Sequence, residues 1–143
     1  MNPILESFKE LIGHEFSNSP SPFTAWLKPT LLVAEEGRLV FEFTIRHEMT
    51  NPFGGLHGGV AAAIIDDIIG ATLFSLGEER RYTTINNVID YFAVASEGEK
   101  IIAETAIIKK GRTIANLQCE IWNAGKTKLI ARGYSNMLKL DAK

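Results

Sequence analysis

At 143 residues the chain has room for one domain with a substantial core and too little for two ordinary ones. Its 45% hydrophobic and 22% charged residues are those of a globular protein. A formal net charge of -2, without a long run of Lys or Arg, leaves no electrostatic footprint for nucleic acid.

The chain opens on a helix signal, Asn2 as cap followed by Pro3 at the first helical position. Ile4, Leu5, Phe8, Leu11, Ile12 and Phe16 then recur at helical spacing, which predicts an amphipathic helix over about residues 3–16. Glu6, Lys9 and Glu10 interrupt any apolar run, so this segment is not read as a secretion signal. Ser17–Phe23 contains two prolines and is expected to be a loop. Leu31–Val33 and Leu39–Ile45 read as a hairpin around Glu36-Gly37. In the second arm Leu39, Phe41, Phe43 and Ile45 alternate with Val40, Glu42, Thr44 and Arg46, the period of a half-buried strand.

The glycine-rich turn Asn51–Gly59 leads into an apolar helix expected over Gly58–Leu76 and stopped by Gly77. Its adjacent Asp66 and Asp67, and its modest length, argue against a membrane span. Strands are expected at about Thr83–Tyr91, Lys100–Lys109, Thr113–Asn123 and Leu129–Leu140, with turns at Lys110-Gly111 and Asn123–Lys126. Strands on both sides of one nearly all-apolar helix predict an α+β domain, an antiparallel sheet wrapped around that helix. A parallel α/β fold does not fit, because strands and helices do not alternate. The single cysteine, Cys119, cannot pair internally and lies among apolar neighbours, so it reads as a small buried hydrophobe in a reducing, cytoplasmic protein.

Chemistry is expected where the turn meets the helix. Burying an ionised carboxylate is costly without a partner, yet this core helix carries two. The glycines before it leave backbone amides uncovered, and the first amides of a helix have no internal acceptor, so they can hold developing negative charge. At about 100° per residue, Asp66 shares a stripe with the small residues Gly59, Ala62 and Gly70, whereas Asp67 lies near Val60, Ala63 and Phe74. Periodicity alone does not choose between the two aspartates. His57, with His14 and His47, makes no metal-like spacing, and no metal or cofactor site is expected.

The stretch from Asn51 to Asp66 resembles the hotdog-fold acyl-CoA thioesterases, in the branch of the PaaI-type and 4-hydroxybenzoyl-CoA thioesterase-like enzymes. That pattern has an asparagine six residues before His-Gly-Gly and a carboxylate nine residues after the histidine, as Asn51, His57 and Asp66 stand here. A hydroxyl residue seven positions before a strand tyrosine also recurs, as Thr84 and Tyr91 do. The resemblance covers about residues 30–140 of a single domain, with the N-terminal helix as an addition.

It implies hydrolysis of an acyl- or aryl-CoA thioester without a cofactor, with Asp66 as general base or nucleophile and the Gly58 backbone N–H as oxyanion donor. Asn51 and His57 would position the acyl group or water, and Thr84 would hold the attacking water. It further implies a dimer, or a dimer of dimers, with Asp66 of one protomer facing His57 and Gly58 of the other. The turn Lys109-Lys110-Gly111-Arg112 is either solvated or, as the resemblance suggests, a contact for the CoA phosphates through Lys110, Gly111 and Arg112. Phe53, Leu56, Phe74 and Tyr91 are candidates for the acyl pocket, with core packing the alternative for most of them.

Two other readings remain open. One is a non-catalytic acyl-CoA-binding domain. The other is a hotdog hydratase or dehydratase, against which stands Met49 at the position where those enzymes carry an aspartate.

Overall fold

A computed structural model describes residues 1–141. Its elements are α1 (Pro3–Glu10), α2 (Pro22–Leu27), β1 (Thr30–Glu35), β2 (Arg38–Thr44), α3 (Gly58–Phe74), β3 (Tyr82–Tyr91), β4 (Lys100–Lys110), β5 (Ile114–Asn123) and β6 (Leu129–Lys139). The strands form one antiparallel sheet in the order β1-β2-β4-β5-β6-β3, with α3 packed along its inner face. This is the wrapped α+β arrangement that the element order predicts. No helix among the described residues is long and apolar enough to cross a membrane.

Leu39, Phe41 and Phe43 of β2 are buried with Ile64, Ile65, Ile68 and Ile69 of α3, as the alternation predicts, but Val40, expected among the less buried positions, is buried as well. Helix and sheet approach closely at Gly133 of β6, where a Cβ would lie 2.8 Å from Ile65. Cys119 is fully buried, and burial pushes its thiol far above the ordinary range, as suits a core residue.

The N-terminal segment departs from expectation in two places. α1 stops at Glu10 rather than near Phe16, because the chain turns at Gly13, whose φ of +87° only glycine adopts readily. Phe16 still reaches the core, from a loop, with its ring edge-on to Phe41 at 5.3 Å. The expected loop Ser17–Phe23 runs into a short helix, α2, capped by Ser21 and begun by Pro22. This is the same cap-proline signal as Asn2-Pro3, hidden in a segment whose prolines read as breakers.

Asn2 holds the two ends of the layer together. Its Oδ1 accepts from the amides of Ile4 and Leu5, and its Nδ2 donates to the Ser75 carbonyl at the end of α3. α3 ends at Phe74 with Ser75 as its cap, and the chain turns away through Gly77 at φ +74°.

Candidate active site

The N-terminal end of α3 is built by the glycine turn. Asn51 Oδ1 accepts from the amides of Phe53 and Gly55 and closes the turn, while the His57 amide donates to the Met49 carbonyl. His57 caps the helix, its Nδ1 accepting from the Gly59 amide at 2.9 Å. A ring nitrogen that accepts carries no proton, so the N–H of the neutral ring is on Nε2, on the exposed side. The Gly58 N–H finds no acceptor among the described residues. The Tyr91 hydroxyl donates to the Gly58 carbonyl at 2.9 Å, pinning this end of the helix to β3.

Further along α3 the two aspartates separate as their helix positions require. The Asp66 Oδ1 accepts from the Thr84 hydroxyl at 2.9 Å and from Asn87 Nδ2 at 3.1 Å. The other oxygen, Oδ2, has no donor among the described residues. Asp67 points toward α2, where the Thr24 hydroxyl reaches its two oxygens at 3.0 and 2.9 Å. Burial pushes the Asp67 carboxyl above its ordinary range, against the Thr24 hydrogen bond, and the charge of Asp66 adds to the rise.

Thr84 and Asn87 can share this carboxylate only because β3 is irregular. In a regular strand residues three apart point to opposite faces. Here Thr84 pairs with Met137 and Asn86 with Asn136, leaving Ile85 as an unpaired bulge residue. The extra residue brings Thr84, Asn87 and Tyr91 to the inner face together, opposite Met137, Ser135 and Ala131. Asn87 is the site residue that the sequence reading did not single out. The odd, seven-residue interval from Thr84 to Tyr91 was its one indirect signal, since two inward residues at odd separation demand a bulge between them.

Asp66 and Asp67 both border a cleft of about 1160 Å³ between α3 and the N-terminal segment. Ile4, Phe8, Leu11, Phe16 and Phe74 give it apolar walls. Of the four candidates for an acyl pocket only Phe74 lines it, 64% exposed; Phe53 and Tyr91 lie exposed near the other end of α3, and Leu56 packs against the core. At the turn after β4, Lys110 is ion-paired with Glu78, which also holds Lys139 Nζ at 2.6 Å. The pair keeps the Glu78 carboxyl below its ordinary range although partial burial opposes it. Gly111 closes the turn by donating to the Ile114 carbonyl, and Arg112 is exposed with no ion-pair partner among the described residues. No group of three or more His, Cys, Asp or Glu that could hold a metal occurs among the described residues.

A sequence model of the Thioesterase superfamily matches residues 53–130, more than half the chain, from the glycine turn to the sixth strand. The chain belongs to the thioesterase superfamily. Its chemistry is thioester hydrolysis. The human protein named acyl-coenzyme A thioesterase 13 is 32% identical over 106 residues, which cover 74% of this thioesterase and 76% of the human one. Among solved structures, thioesterase superfamily member 2 from Mus musculus superimposes with a TM-score of 0.81 at 27% identity, covering 96% of this chain and 98% of the mouse chain. The E. coli PaaI protein, from the phenylacetic acid degradation operon, gives a TM-score of 0.83 at 15% identity, covering 99% and 97%. That second likeness shows the fold, and the fold is the hotdog.

Proposed function

We propose that this thioesterase hydrolyses acyl-CoA, releasing the free acid and CoA, at a site assembled from two copies of the chain. The observation that carries the reading is the state of the Asp66 carboxylate. One oxygen is fixed by two donors and the other has none among the described residues, at the border of an apolar cleft. Such a carboxylate can take a proton from water or attack a carbonyl through Oδ2 while Oδ1 stays anchored.

The polarising group supports a second copy. Gly58 lies eight residues before Asp66, so their helix positions are ~12 Å apart along α3, too far to act on one carbonyl group within a protomer. β3 is the terminal strand of the sheet, so one of its edges is unpaired, and it exposes Ile85 and Val88. Antiparallel pairing of that edge with its equivalent in a second copy would bring the two α3 helices side by side in opposite directions. Asp66 of one protomer would then approach His57 and Gly58 of the other.

In the reaction the thioester oxygen accepts from the Gly58 N–H, with His57 Nε2–H beside it to orient the carbonyl. Water held by the Thr84 hydroxyl gives its proton to Asp66 as it adds to the carbonyl carbon, and the C–S bond then breaks; alternatively, Asp66 adds first, the C–S bond breaks to leave an acyl anhydride on Asp66, and water hydrolyses that anhydride. On either route CoA departs as a thiolate, an easy leaving group. Asn51 shapes the turn that presents these donors, the acyl group occupies the cleft beside Asp66, and Lys110, Gly111 and Arg112 are the proposed phosphate contacts. No cofactor enters any step.

Thiol release from a panel of acyl-CoA thioesters tests this, with Asp66→Asn as the control. Release from any member that Asp66→Asn abolishes supports the reading. Binding without turnover would favour the non-catalytic acyl-CoA-binding alternative.

A further inference from the structure

Outside the groups already given a role, one part-buried hydrogen bond leads to Asp66 through a single side chain. We propose that Asn87 is a positioning residue for Asp66, held in its working orientation by the hydroxyl of Ser135. The inference rests on the reading of Asp66 as the reacting carboxylate. Ser135 stands opposite Asn87 in the β3–β6 register, is 2% exposed, and its Oγ donates to Asn87 Oδ1. Asn87 Nδ2 in turn donates to Asp66 Oδ1 at 3.1 Å, beside the Thr84 hydroxyl at 2.9 Å.

The chemistry fixes the direction of this chain. A carboxylate only accepts, so the atom of Asn87 that faces it must be the amide nitrogen. That leaves the amide oxygen toward β6, where the only partner that suits it is a donor, and the Ser135 hydroxyl is one. Turning the amide over would set its oxygen against the carboxylate, which opposes the turn, while the Ser135 hydroxyl tethers the far side of the amide. With both donors on Oδ1, rotation of the carboxylate is restrained and Oδ2 is left without a donor among the described residues.

The arrangement depends on the Ile85 bulge. Without it Asn87 would point to the outer face, where Asn86, Asn136 and Asn116 instead form their own ladder. The other titratable groups around the cleft are Glu10, His14 and Glu15 on the N-terminal wall, Asp67 on α3 and Tyr82 on β3, none of which this relay touches.

The test is steady-state kinetics on the intact protein, using an acyl-CoA that the wild type hydrolyses. Asn87→Ala should lower kcat about tenfold, the scale of one hydrogen bond to a charged group, with KM within about twofold. Asn87→Asp should lower kcat further, since it sets an acceptor-only carboxylate against Asp66. Ser135→Ala should reproduce part of the loss, and Ser135→Thr, which keeps the hydroxyl, should restore it.

Wild-type kcat in Asn87→Ala would overturn the proposal, as would a loss confined to KM. Should Asn87→Ala fail to fold, the Ser135→Ala and Ser135→Thr pair decides: equal kcat in the two overturns the proposal. A nitrogen-15 spectrum separates this failure from that of the underlying reading. The Asn87 side-chain amide signal should move in Asp66→Asn and Ser135→Ala and stay in place in Asp67→Asn. If the signal behaves so while Asp66→Asn turns over normally, the relay stands as structure but the proposal falls together with the catalytic role of Asp66.

Discussion

Asp66→Asn and Asp67→Asn differ by one position and should differ in turnover by about two orders of magnitude. At position 66 the substitution keeps the shape and leaves an oxygen to accept from Thr84 and Asn87, but removes the charge behind the unpaired Oδ2. Loss of a general base costs about 10²–10⁴ in rate. The lower figure corresponds to ~2.7 kcal/mol of lost transition-state stabilisation. At position 67 the carboxylate accepts from Thr24, on the side of α3 facing α2, and an asparagine oxygen accepts that hydroxyl equally well. A neutral side chain also relieves the repulsion from Asp66, so kcat should stay within about threefold of wild type. The assay is thiol release under saturating acyl-CoA, on variants first matched to wild type in Tm and in mass by light scattering. A dead Asp67→Asn beside an active Asp66→Asn would refute both the nine-residue register and the division of labour read from the hydrogen bonds.

Thr84→Ala should fall between the two, with kcat down about tenfold and KM little changed, because Thr84 positions water and carboxylate rather than substrate; a change confined to KM would count against it. Asp67→Asn should be more stable than wild type near neutral pH and equal to it in strong acid. The folded Asp67 carboxyl titrates above its ordinary value, so its cost is absent below that value and grows as pH rises from there through the folded pKa. Thermal melts across that range check the sign. Gly133→Ala should lower stability by ~1–3 kcal/mol without altering the Asp66 contacts, since the new Cβ would lie 2.8 Å from the buried Ile65; an unchanged Tm would contradict the close approach. Light scattering at micromolar concentration should report a dimer or a dimer of dimers, and a monomer with full turnover would overturn the two-copy site.

The sheet and its central helix were legible because each rests on a period: two in Leu39–Phe43, and nearly unbroken apolarity in α3. The glycine turn was legible in its composition, whereas periodicity did not separate Asp66 from Asp67 and only the resemblance to the thioesterase pattern pointed to Asp66. The N-terminal layer was less so, since Leu11 and Ile12 keep the helical pattern up to Gly13, yet the chain leaves the helix there. α2 was missed because its prolines and cap resemble loop composition. Asn87 was invisible for a different reason. Its neighbour along the chain, Asn86, is the same residue type on the opposite face, and only the position of the bulge says which one meets Asp66.

The bulge at Ile85 has a consequence for how this strand can change. It acts as a phase shifter between the segment that carries Thr84 and the one that carries Asn87 and Tyr91. Point substitutions at Ile85 leave that phase alone, whereas deleting the residue would slip one segment by one step against the other. The sheet could still pair through β6, yet Thr84 and Tyr91 could no longer both face the helix. Length in this strand is therefore under tighter constraint than composition, and one lost codon could leave a folded chain whose two halves of machinery no longer share a face.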